Sequence, residues 1–260
     1  MNKQNKGKGG RGIEWTDWTW NPVAGCQHGC RWEMPDGTEA ICYAEAVAKG
    51  VAQAAYSEGF EHHYWNPKRL NEPEKLKDGA KIFMDSMSDL MGHWVKTEEI
   101  LQVLDVCRRA PQHTFQLLTK NAPRLRQFSF PDNVWAGVSM PPTEMFGRRM
   151  SEQQQSAYTT RALRVLQDGT PAIRWMSFEP LSFDVAEIVE RHPGALQWAV
   201  IGAASNGKKT FQPKREHVEH LLDVLDKQGV PVFFKGNLEW DAWREEFPMP
   251  PKLGQMGMFG

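Results

Sequence analysis

The chain has 260 residues, 40% hydrophobic and 24% charged, which is enough apolar material for one large core. A formal net charge of −1 excludes a global electrostatic pull toward nucleic acid or membrane, and no apolar run approaches the roughly 20 residues needed to cross a bilayer. Four cysteines in a chain of this size do not make a disulfide scaffold, so a cytoplasmic protein with reduced thiols is expected, without a membrane partner.

In chain order, Lys3, Lys6, Lys8 and Arg11 precede the first acidic residue, Glu14, in a Gly- and Asn-rich stretch. Residues 1–12 are therefore expected to form a disordered basic arm, either a solubilising tail or a contact for phosphates. Trp18 to Trp20 reads as a short strand, and a cysteine-bearing loop follows. Tyr43 to Ala55 is alanine-rich with helical spacing, and Lys81 to Met84 is a strand that ends in the polar turn Asp85 to Asp89. Thr97 is placed to cap a helix whose Ile100, Leu101, Val103, Leu104 and Cys107 share one face. Cys107 on that face reads as a buried small hydrophobe. The His62-His63 pair lies in a polar stretch and is expected to be exposed.

Alternation continues to the end of the chain. Strands are predicted at Thr114–Leu118, Asn133–Val138, Ala172–Met176, Leu196–Ile201 and Val230–Phe234. Helices are predicted at Pro123–Phe128, Glu152–Leu166, Phe183–Arg191, Arg215–Lys227 and Trp240–Glu246. About seven βα units imply a parallel sheet curling toward a partial (β/α) TIM-like barrel of six to seven strands, in one domain over residues 13–247. Residues 248–260, rich in Pro, Gly and Met, are expected to be loosely ordered.

In such a barrel, chemistry collects where the strands end at their C-termini. The segments at those positions are polar or small: the cysteine loop, Asp85 to Asp89, Thr119 to Asn121, Ser139, Ser177 to Pro180, Gly202 to Gly207, and Lys235 to Asn237. Lys120 and Lys235 are placed there to meet a phosphate or a carboxylate. Cys26, Cys30 and Cys42 stand on the first of these loops. Three thiolates can hold a four-iron cluster and leave one iron without a protein ligand, which makes the loop a reactive site more than a staple.

Ile13-Glu14-Trp15-Thr16-Asp17, Trp18-Thr19-Trp20-Asn21-Pro22, Gly25-Cys26 and Cys42-Tyr43-Ala44-Glu45 resemble the three-cysteine-motif proteins of phages and prophages. That family is similar to a branch of the radical S-adenosylmethionine superfamily, with likeness to spore photoproduct lyase. Phe83 to Leu90, Leu117 to Asn121, Trp135 to Ser139, Ser177 to Leu181, Ile201-Gly202 and Phe233 to Lys235 extend the resemblance over most of the chain. One departure stands out. The superfamily's usual motif has two residues between its second and third cysteines, whereas here eleven separate Cys30 from Cys42. Glu33 to Ile41 reads as an insert, with Pro35-Asp36-Gly37 as the turn that sends it out and back.

The resemblance implies that Cys26, Cys30 and Cys42 bind a [4Fe–4S] cluster whose open iron chelates S-adenosylmethionine. Reductive cleavage of that cofactor would release methionine and a 5′-deoxyadenosyl radical able to abstract hydrogen from a substrate. From the barrel layout, Ser86 and Ser88 are candidates for the methionine end of the cofactor, Ser139 and Glu179 for the ribose hydroxyls, and Gly202 for close approach of the adenine. A phage setting makes a nucleobase, nucleotide or nucleic acid the expected substrate, in host cytoplasm. An electron donor is required, and a partner protein is a further expectation. Three alternatives stand beside this reading. They are a structural zinc site from Cys26, His28, Cys30 and Cys42, a non-catalytic nucleic-acid-binding barrel that stacks bases on some of its 11 tryptophans, and an iron–sulfur electron carrier.

Overall fold

The computed structural model of the protein describes residues 1–5, 12–169 and 171–249. Its centre is one eight-stranded sheet. In chain order the strands are β1 (Asn2–Lys3), β2 (Trp18–Trp20), β3 (Lys81–Met84), β4 (Thr114–Thr119), β5 (Val134–Ser139), β6 (Ile173–Phe178), β7 (Trp198–Ile201) and β8 (Val232–Phe234). They also lie side by side in that order. β2 through β8 are parallel, and β1 runs antiparallel on the edge. The seven parallel strands match the expected number, and every crossover between neighbours from β3 onward carries a helix or helical turn. These are α2 (Thr97–Arg109), a 3-10 segment (Ala122–Gln127), α3 (Glu152–Gln167), α4 (Ala186–Glu190) and α5 (Arg215–Lys227), while α1 (Tyr43–Lys49) follows the cysteine loop.

The period of two along each strand divides the core. Ile82, Met84, Phe115, Leu117, Val138, Met176, Ile201 and Phe234 face the helices and join the main cluster. On the other side Trp15, Trp135, Trp175, Trp198 and Phe233 form a second cluster, joined by Phe83 and Leu118. Its rings meet edge to face, with Trp15–Phe83 centroids 4.7 Å apart and Trp15–Trp175 5.3 Å apart. Trp15, Trp135, Trp175 and Trp198 are therefore core packing on this face of the sheet and not free to stack bases.

Four expectations are corrected. Asn2–Lys3 pairs with Trp18–Thr19, so the first residues of the expected arm are a sheet edge strand, while residues 6–11 lie outside the described residues. Trp240–Glu246 is not helical. Glu245 bridges Phe233 in antiparallel fashion, and Glu246 Oε2 accepts a hydrogen bond from Val232 N–H at 2.9 Å, so this segment covers the free edge of β8. Thr97 is the first helical residue of α2 and not its cap. Glu99 reaches back instead, its Oε2 accepting from Lys96 N–H at 3.2 Å and lying 2.8 Å from His63 Nε2. His62 is exposed as expected, but His63 is half-buried by that contact. Glu99→Ala is expected to lower stability by about 1–2 kcal/mol in chemical denaturation, the loss of a cap and a buried partner together. An unchanged midpoint would show that Glu99 holds neither. Cys107 is fully buried, its Sγ 3.7 Å from Met84 Sδ, as its place on the apolar face requires.

Candidate functional site

The loop after β2 is pinned from three sides. Gly25 N–H donates to Met87 O at 2.9 Å, and Cys26 N–H donates to Phe60 O at 2.7 Å. Phe146 N–H donates to His28 O at 2.7 Å. Gly25 has φ +84, and a Cβ there would lie 1.8 Å from His62 O, so only glycine lets the loop turn against the 60–62 segment. Ser88 Oγ donates to Gly25 O at 2.6 Å, which stitches the loop to the end of β3. Asn21 Oδ1 accepts from Ser86 Oγ at 3.2 Å and from Met87 N–H at 3.0 Å.

This framework opens a cavity of about 230 Å³ at the C-terminal ends of the parallel strands. Cys26, Cys30 and Cys42 line it together with Ser86, Ser88, Ser139 and Glu179, and Phe83 and Leu118 from the aromatic cluster also face it. Six of the seven parallel strands or their following loops contribute, the exception being β7. Gly202, at the end of β7, is not part of the lining. A Cβ there would meet Glu179 Oε1 at 3.0 Å and Asn237 Oδ1 at 3.2 Å, so its bareness gives room to the glutamate. Glu179 Oε2 accepts from Ser177 Oγ at 2.9 Å, and Lys235 Nζ lies 3.0 Å from Glu179 Oε1. Lys235 thus meets the carboxylate its position suggested. Ser139 Oγ donates to Met140 O at 3.3 Å.

All four cysteines are free thiols. Burial, reinforced by the Asp89 carboxylate, pushes the Cys26 thiol well above its ordinary range. Burial also pushes Cys30 up to about 11, against the pull of the Lys120 ammonium. Burial works against the Lys120 charge, but Cys30, Cys42 and Asp89 outweigh it and raise its pKa. Lys120 Nζ also stands 5.7 Å from the centroid of the Trp32 ring. Among the described residues, no three or more His, Cys, Asp or Glu side chains form a group arranged to hold a metal ion. That applies to the Cys26–Cys30–Cys42 triad as well as to the Cys26–His28–Cys30–Cys42 zinc set, whose His28 Nε2 is 2.7 Å from Asp89 Oδ2.

Residues 10–250 match the family described as "Protein of unknown function (DUF5131)". The chain belongs to that family. No curated protein matches it. Among solved structures it is similar to spore photoproduct lyase complexed with dinucleoside spore photoproduct, at 9% identity and TM-score 0.54, over 90% of this chain and 80% of that one. A mutant of the same lyase with dinucleoside spore photoproduct aligns over 90% of this chain and 79% of the other, at 9% identity and TM-score 0.47. At this identity the likeness is one of fold alone, a mostly parallel α/β sheet with helical crossovers. No helix among the described residues is long and apolar enough to cross a membrane.

Several residues of the site were not singled out in the sequence. Asp85 is buried with φ 52, and its Oδ1 accepts from Val23 N–H at 2.9 Å. Burial raises its pKa well above the usual carboxylate range. Asp89 and Trp32 also line the cavity. The polar turn after β3 signalled that something of this kind sits there. Which of its carboxylates binds the loop depends on partners some sixty residues away in the chain, at His28 and Val23.

Proposed function

We propose that this family member is a radical S-adenosylmethionine-type enzyme in which Cys26, Cys30 and Cys42 hold a [4Fe–4S] cluster and the adjoining cavity holds S-adenosylmethionine. The observation that carries this reading is that three free thiols line one cavity together with the ends of six parallel strands, in a fold similar to that of a lyase of that class. The residue types suit the group: three soft thiols, with no fourth cysteine in the lining, are what a cluster with an open iron takes, and binding would have to draw them together, since among the described residues they form no ready-made metal group. When bound, the cluster supplies an electron and an open coordination site for reductive cleavage of the sulfonium cofactor.

The chain's own residues have distinct tasks in this reading. Burial keeps the Cys30 thiol neutral, a bound cluster would take Cys26, Cys30 and Cys42 as thiolates, and the Lys120 ammonium stands where it would offset their negative charge. Ser86, whose hydroxyl proton is given to Asn21 Oδ1, offers its oxygen as an acceptor to the ammonium at the methionine end, while the Ser88 hydroxyl, given to Gly25 O, acts by holding the loop. Ser139 and Glu179 face the cavity for ribose hydroxyls, with Lys235 fixing the carboxylate and Gly202 giving it space. Phe83 and Leu118 floor the cavity and keep water away from it. A nucleobase, in a nucleotide or nucleic acid of a phage-infected cytoplasm, is the substrate we propose, with a separate electron donor.

The test is anaerobic reconstitution with iron and sulfide, then electron paramagnetic resonance of the reduced protein with and without S-adenosylmethionine. A reduced-cluster signal that changes on adding the cofactor is expected. A colourless protein that retains stoichiometric zinc would instead make the loop structural. A cluster signal indifferent to the cofactor would leave an electron carrier.

A further inference from the structure

Tyr43 and Ser86 line a second cavity besides the one that holds the cysteines, with a volume of about 420 Å³. None of the three cysteines lines it, so the two compartments adjoin but are separate. Its size falls in the range of roughly 300–1,000 Å³ that takes small-molecule ligands. Val47, Ala52 and Ala55, from α1 and the turns after it, give it an apolar wall. Its polar part is amide, hydroxyl and phenol, and Arg69 is the one charged residue among the described residues that line it.

Four of these side chains have hydrogen-bonding capacity to spare. Arg69 is fixed at its base, its N–H donating to Asn66 O at 2.9 Å and its O accepting from Trp20 Nε1 at 2.8 Å. Its Nε lies 3.3 Å from each Glu72 carboxylate oxygen, long for a charge-assisted bond, and neither terminal nitrogen has a partner among the described residues. Asn21 is 4% exposed and its orientation is settled by Met87. A backbone N–H only donates, so the atom that meets it is Oδ1, and the Asn21 amide NH₂ is left over without an acceptor. The Tyr56 hydroxyl and the Asn66 side chain are also unpartnered among the described residues. None of these atoms is sealed in protein, in contrast to the orphaned Asp85 Oδ2, so they open on the cavity they line. Burial raises the Tyr56 phenol's pKa against the pull of the Arg69 charge, which sets that charge close to the phenol.

A guanidinium and an amide NH₂ with no carboxylate in the lining call for an anion. The two free terminal nitrogens of Arg69 match two coplanar oxygens, which a carboxylate presents. One cation balances a monoanion, whereas a phosphate dianion would keep an uncompensated charge. Tyr56 and Asn66 both donate and accept, which suits a hydroxyl or amide beside the carboxylate, and the apolar wall takes a short carbon stem.

We infer that this cavity is a binding site for a small organic acid, a monocarboxylate carrying a hydroxyl or amide group, with Arg69 and Asn21 as its anchors. The site goes beyond the proposed reaction and does not depend on the cluster. Asn21 connects the two, because the same amide holds Ser86 and Met87 at the turn that leads into the cysteine cavity.

The experiment measures binding of lactate, gluconate and N-acetylglycine to the full chain by isothermal titration calorimetry and saturation-transfer NMR, with inorganic phosphate and L-methionine for comparison. At least one of the three acids is expected to bind, more tightly than phosphate. Arg69→Gln and Ala55→Trp, which plugs the cavity at an exposed residue private to it, are each expected to weaken that binding tenfold or more. Ala46→Trp, in a neighbouring cavity of about 350 Å³, is expected to leave it unchanged. The exposed Ala55 keeps the test open even where Arg69→Gln disturbs folding. No binding by the three acids, binding that survives both variants, or phosphate binding as tight as the best acid overturns the inference. Methionine binding tighter than every acid with the same Arg69 dependence would give the cavity to the cofactor, and overturns it too. Failed cluster reconstitution would change none of these readings, so the two proposals fail separately.

Discussion

Cys26→Ala, Cys30→Ala and Cys42→Ala are each expected to abolish cluster reconstitution, with iron and sulfide content falling to background and the brown absorbance lost. Cys107→Ala is expected to retain both at the level of the unmodified chain. Position separates the two sets of thiols. The first three thiols line one cavity, whereas Cys107 is fully buried in α2 among the side chains that pack the helices on the sheet. Removing the Cys107 sulfur trims a filled core and costs about 1 kcal/mol of stability, far less than loss of fold. The series also examines the long spacing. The insert folds as a hairpin that returns Ile41 opposite Arg31, so eleven intervening residues still bring Cys42 back beside Cys30. A cluster retained by Cys42→Ala and lost by Cys107→Ala would mean that the insert carries Cys42 out of the ligand set.

Most of the architecture was legible because it is written in local pattern. Lys81–Met84 and Arg215–Lys227 have the predicted bounds, since each is a short run of one period closed by strong punctuation. The rim of polar residues was legible for the same reason, as the ends of predicted strands locate it. What local pattern cannot hold is pairing over distance. Trp240–Glu246 has helical spacing, but the free edge of β8 offers backbone partners that a single helical turn does not. The insert was readable as an excursion with a turn. The anchorage of its tip depends on Asp36 and Lys209, which are 173 residues apart. Gly202 has a similar lesson. Its position at a strand end suggested approach to a ligand, whereas its missing Cβ is used by Glu179.

Asp89→Ala is expected to destabilise the protein by about 3–5 kcal/mol at neutral pH, read as a shift of the denaturant midpoint. Asp89 is 5% exposed and binds in several directions. Its Oδ2 is 2.7 Å from His28 Nε2 and accepts Lys120 N–H at 2.8 Å, and its Oδ1 accepts Met91 N–H at 3.0 Å. Burial opposes its charge, yet the His28 bond and charge, with the Thr119 hydroxyl and the Lys120 N–H, together outweigh burial and hold its pKa below the ordinary value. The sign follows. A carboxylate whose pKa falls on folding adds stability above its unfolded pKa of about 3.9, and that stability is lost as pH drops through the folded value. The gap between Asp89→Ala and the unmodified chain should therefore shrink as the pH is lowered below about 4. A gap that stayed constant with acid would mean the carboxylate charge contributes nothing and only its shape matters. Because His28 stands between Cys26 and Cys30, the same variant should also loosen the turn that presents those thiols. Slower cluster uptake than in the unmodified chain, under conditions where the variant remains folded, separates that local effect from global unfolding.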